Sequence, residues 1–151
     1  MTRRRALWIA VAAVVVVIAG VSLWHGRSTV HDREQGKSEA TDRCTTAIRA
    51  DIQDAFVTAG NTSDESTHLA DAAEFADVRT RTTSISDDAK TLLRNAGHAL
   101  TSVDVNWDVR GDVSIPGFAR SGARYGPKNT FDCNAAVLDD GTVVLTDRRI
   151  N

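Results

Sequence analysis

Hydrophobic and polar positions divide the chain into three regimes. From Ala6 to Trp24 no charged residue occurs, and only Gly20 and Ser22 interrupt the apolar run. From Thr41 to Leu100 apolar residues return every three or four positions, the period of an amphipathic helix. From Val103 onward they alternate with polar ones, the period of a strand with one face in a core.

Within the helical regime, Cys44, Ile48, Ile52, Ala55, Phe56 and Ala59 form one stripe. Thr41 or Asp42 is placed to cap its start, and Gly60-Asn61, which tolerate positive φ, end it. A second helix is expected over Asn61 to Val78. Thr62 and Glu65 stand at capping-box spacing, and Leu69, Ala72, Ala73 and Ala76 share a face, although Phe75 and Val78 fall off it. The Thr-rich stretch 79–84 suits a short strand or a loop. A third helix should follow a Ser86 cap, with Asp87 and Asp88 at the positive end of its dipole. Ala89, Leu92, Leu93, Ala96 and Leu100 line its inner side, and Gly97 shortens it.

Val103 to Val109 alternates strictly and is the clearest strand. Arg110-Gly111-Asp112 reads as a turn, followed by short strand pieces around Pro116 and Tyr125. Phe131 to Ile150 reads as a hairpin closed by a two-residue type I′ turn at Asp140-Gly141. That register pairs Val137 with Val144, Phe131 with Ile150 and Asp132 with Arg149, whereas a three-residue loop would move Phe131 opposite Arg149. It also turns Cys133 towards the helices. The expected fold is α+β: one N-terminal transmembrane helix, then about three helices packed on a C-terminal antiparallel meander. NTF2-like and cystatin-like domains share that order, an analogy of architecture with no motif behind it.

The first regime is read as a membrane anchor. Leu7 to Trp24 would make a helix about 27 Å long, close to the thickness of a bilayer's hydrocarbon core. Trp8 and Trp24 lie at its ends, where indoles favour the headgroup level. Arg3, Arg4 and Arg5 precede it and hold the N-terminus in the cytoplasm by the positive-inside rule. A cleaved signal peptide is the competing reading, but its apolar region is shorter and "SLWHGRS" offers no clean small-x-small site. A buried core helix is the other alternative. The expected organisation is a basic cytoplasmic start at 1–5, a signal-anchor at 6–24, a flexible polar linker at 25–40 and an extracytoplasmic domain at 41–151.

Charge then narrows the partners. All 20 acidic residues but only 15 of the 18 basic ones follow the anchor, leaving the outer part at −5. Such a body repels phosphate backbones, so no nucleic-acid partner is expected. Cys44 and Cys133 are the only cysteines, and in an exported domain they read as one disulfide.

Candidate chemistry is sparse. Asp104, Asn106 and Asp108 have the spacing of the first ligands of a calcium loop. That loop also needs Gly at its sixth place and Glu at its twelfth, where Val109 and Ile115 stand, so the row reads as the wet face of a strand. His68 between Asp64 and Asp71 is a metal half-site in outline, and more simply an exposed helical face. Arg120, Arg124 and Lys128 around Tyr125 form a loose basic run suited to phosphate. The motifs of lipases, zinc proteases and nucleotide-binding loops are missing. No catalytic, cofactor-binding or metal-binding residue is assigned. The expected role is a non-catalytic binding or scaffold component of the cell envelope, touching the bilayer through its anchor and a protein partner through its outer domain. A small-ligand or lipid binder is the alternative, and an envelope hydrolase a third.

Overall fold

Ala40, Cys44, Ile48, Ile52 and Phe56 recur at a strict spacing of four, and all five are buried. A row of that period slants across a helix by about 40° per step, since four residues turn it by about 400°. It therefore suits the surface of a twisted sheet better than a straight groove. The helix carrying it, α1, spans 33–58 in the computed structural model, which describes residues 33–116 and 124–151. It is already helical over 33–40, the stretch expected as linker and lying before the expected cap, and Ala40 adds a core turn. The proposed anchor at 6–24, with Arg3, Arg4, Arg5, Trp8 and Trp24, lies outside the described residues. Among the described residues no helix is long and apolar enough to cross a membrane.

The end of α1 is as expected. Gly60 takes φ +94°, Asn61 N–H donates to the Phe56 carbonyl and Gly60 N–H to that of Val57. These are the two bonds of a Schellman motif. Helix α2, Ser63–Asp71, opens with the capping box: the Thr62 side chain accepts from Glu65 N–H and the Glu65 carboxylate accepts from Thr62 N–H.

The second helix stops earlier than its expected end at Val78. Strand β1, Glu74–Thr82, follows almost at once. Phe75 and Val78, which fitted no helical face, are the strand's partly buried hydrophobic residues. A β-bulge between Ala76 and Arg79 puts both on the core side, with Asp77 at φ +50° as the extra residue. Helix α3, Asp87–Asn95, is capped by Ser86 and ends in a second Schellman motif at Gly97. Leu93 is buried in it, whereas Leu92, expected inward, is exposed.

The sheet is antiparallel with order β1-β2-β3-β4, where β2 is Val103–Ser114, β3 Lys128–Leu138 and β4 Val143–Ile150. Arg110-Gly111-Asp112 lies inside β2 and makes no turn. Its glycine serves close packing: a Cβ there would stand 2.9 Å from the Ala76 carbonyl and 2.9 Å from the Phe131 ring.

The hairpin keeps its expected far register and changes its turn. Phe131 pairs Ile150 and Asp132 pairs Arg149, but Val137 pairs Val143. Only Gly141 of the turn has positive φ, at +82°, and Gly141 N–H donates to the Leu138 carbonyl. This is a three-residue loop, and not a type I′ turn. It displaces the register by one, and a bulge at Thr146 displaces it back.

Alternation then sorts the two faces. Trp107, Val109, Val113, Phe131, Cys133 and Ala135 share one core with α1 and with Ala70 and Ala73 at the end of α2. Helix α3 packs against β4 outside that core. The opposite face carries Asn106, Ala136 and Leu138, all buried, so α3 covers that end of it. The body, Gly36–Asn151, is thus α+β, with helices on both faces of one sheet.

Candidate functional site

Three features of the body could carry function: the cross-link, the charged outer face and a cleft at the β4 edge. The cross-link joins Cys44 on α1 to Cys133 on β3, with Cα atoms 5.8 Å apart and a sequence separation of 89. Both cysteines are buried. Each was brought there by its own pattern, the helical stripe for Cys44 and strand alternation for Cys133. The bond fastens the longest described helix to an interior strand of the sheet.

The half of the outer face beyond α3 is polar. One row across the strands reads Arg81, Asp108, Asn134, Asp147, and the next reads Arg79, Arg110, Asp132, Arg149. Arg110 Nε reaches Asp108 at 2.9 Å and Asp132 at 2.8 Å. Arg81 lies 3.5 Å from Asp108, and Arg149 pairs with Asp147 at 2.7 Å. The hydrogen bond and charge of Asp108, with the charge of Asp132, hold the Arg110 guanidinium above its ordinary pKa. Arg79 faces Arg110 directly across the strands, a like-charge contact.

The cleft lies where α1 meets β4. It measures about 730 Å³ and opens to solvent. Ala55 and Tyr125 contribute apolar surface; Asp51, Asp54, Arg124 and Arg148 contribute charge, as does Arg149, which on the edge strand borders both this cleft and the outer face. Arg148 donates to Asp51 at 2.8 Å, and that bond and charge raise its pKa. Arg124 stacks on the Tyr125 ring at 4.9 Å. Charged walls and an open mouth suit a polar ligand or a side chain of a partner, not an acyl chain.

The other expected site residues separate. Asp104, Asn106 and Asp108 do lie on a strand, but the last two are not wet. Asn106 is buried and donates to the Ser84 carbonyl, while Asp108 is covered by its arginines. Asp104 is exposed beside a register shift. His68, Asp64 and Asp71 are exposed on α2, and among the described residues no group of three or more such side chains could hold a metal ion. The basic run is split: Arg124 and Tyr125 line the cleft, Lys128 lines a separate groove with Glu74 and Asp112, and Arg120 lies outside the described residues. The arginine rows escaped sequence reasoning because their members come from three strands. Thr-flanked Arg79 and Arg81, two apart, were the signal that could have found them.

No protein-family model, curated protein or solved structure matches this chain.

Proposed function

We propose that the chain is a membrane-tethered, extracytoplasmic binding module: a non-catalytic component of the cell envelope that presents a disulfide-fastened body to a protein partner. The observation that carries this reading is the buried Cys44–Cys133 bond. Such bonds persist in oxidising compartments and are rare in reducing ones. The sequence supplies the matching tether: segment 6–24 as a single span, with Arg3, Arg4, Arg5 and Trp8 at its cytoplasmic end and Trp24 at the outer one. Residues 25–32 then connect tether and body.

Binding to a protein surface is favoured over small-molecule chemistry because the charged groups are spread across a sheet face and an open cleft. A small polar ligand seated in the α1–β4 cleft is the second reading, favoured by the cleft's size. Crosslinking of the chain in intact envelopes tests the main one. A discrete, reproducible adduct with one other envelope protein is expected. A chain that stays monomeric under crosslinking, and is released without detergent, would contradict it.

A further inference from the structure

Exposure on the open half of the outer face is uneven by charge. The two carboxylates on the interior strands are recessed, with side-chain exposures of 8% for Asp108 and 29% for Asp132, while Asp147 on the edge strand is 45% exposed. The guanidinium groups stand above them, at 54% for Arg110, 61% for Arg149 and 68% for Arg81. Arg79 is exposed as well and has no ionic partner among the described residues. It opposes Arg110 in the strand register, and like charges directly opposite one another are unfavourable in a sheet. A body of net −5 therefore turns a guanidinium-rich plane outward at one place.

We propose that this face, with Arg79, Arg81, Arg110 and Arg149 on β1, β2 and β4, is a docking surface for an acidic segment of a protein partner. The proposal rests on the binding-module reading and gives its partner a chemistry. One partner carboxylate bridges Arg79 and Arg110, whose strands lie about 4.8 Å apart. Arg149 lies on the far edge strand, about 14 Å from Arg79 by the same spacing. An extended segment covers that distance in four residues at about 3.4 Å each, so its carboxylates fall at positions i and i+4. The recessed Asp108 and Asp132, with Asp147 at the rim, oppose a uniformly charged polymer such as polyphosphate. They tolerate a peptide whose acids are separated by neutral residues.

The test uses the full chain in a zwitterionic detergent and a fluorescent decapeptide of serine and threonine with two glutamates four apart. Anisotropy is expected to show binding that weakens steeply as salt rises from about 50 to about 200 mM. A peptide with glutamines in place of the glutamates should bind at least ~10-fold more weakly. Arg79→Glu with Arg149→Glu should cause a loss of similar size, whereas Arg43→Glu on α1 should cause none. Arg79→Gln alone removes the like-charge contact, so it should keep or raise the unfolding midpoint while still weakening the peptide. Equal binding of the glutamate and glutamine peptides, or wild-type affinity in the Arg79 and Arg149 variants, would overturn the proposal. So would displacement of the peptide by polyphosphate at a lower charge concentration. A partner crosslinked in envelopes through another surface would overturn this face and leave the binding-module reading intact.

Discussion

At the scale of single residues, two positions carry more than their side chains suggest. Gly111 sits where the Ala76 carbonyl of the β1 bulge and the Phe131 ring both approach β2. Gly111→Ala forces one of them to move, and a loss of about 1–3 kcal/mol in urea-induced unfolding is expected, the range for an overpacked core. Asp140 holds the hairpin turn. Its carboxylate accepts from Thr142 N–H at 2.8 Å, and that bond keeps its pKa below the ordinary aspartate value. The folded value is depressed, so the stabilisation is fully present above about pH 4, the unfolded value. It is lost as pH falls further, through the folded value. A carboxyl titration followed by NMR should place Asp140 below the ordinary aspartate value; a midpoint at or above that value would remove the turn bond from this account. The same residue shows what local sequence conceals. Asp140-Gly141 announced a turn, but whether both residues or only the glycine would take positive φ depends on the flanking pairs. The compensating bulge at Thr146 left no mark in the sequence.

At the scale of elements, legibility followed the strength of local chemistry. The capping box at Thr62, the Ser86 cap and the glycine ends of α1 and α3 were all readable, because each depends on residues within one helical turn. Ser86→Ala should therefore cost about 1 kcal/mol of stability. A change below a few tenths, measured by thermal unfolding, would mean that packing against β4 and not the cap fixes α3. Strand β1 was misread because its bulge breaks the alternation that identifies a strand. Phe75 and Val78 were nonetheless the two residues that refused the helical face. Arg110-Gly111-Asp112 was misread for the opposite reason: a glycine usually marks a turn, and here it marks a close approach between strands. The outer face was illegible altogether, since Arg79, Arg110 and Arg149 become neighbours only once the register of three strands is known.

At the scale of the whole molecule, the proposed extracytoplasmic location rests on the disulfide. The 89-residue separation makes the cross-link worth about 4–5 kcal/mol in the chain-entropy account, and about 2–5 kcal/mol by the usual loss when a native bridge is removed. Cys44→Ala with Cys133→Ala should lower the unfolding free energy, measured by denaturant titration, by an amount in that range. Helices α1, α2 and α3 and the four-stranded sheet then stay the same, because hydrophobic packing already brings Cys44 and Cys133 together. The most direct measurement of the central claim is the state of these two thiols in living cells. Cells are quenched in acid, the protein is denatured, and a mass-tagged alkylating reagent is added with and without prior reduction. The account expects no tag before reduction and two after it, on a chain recovered in the membrane fraction. Two tags without reduction would place the body in a reducing compartment and contradict the reading.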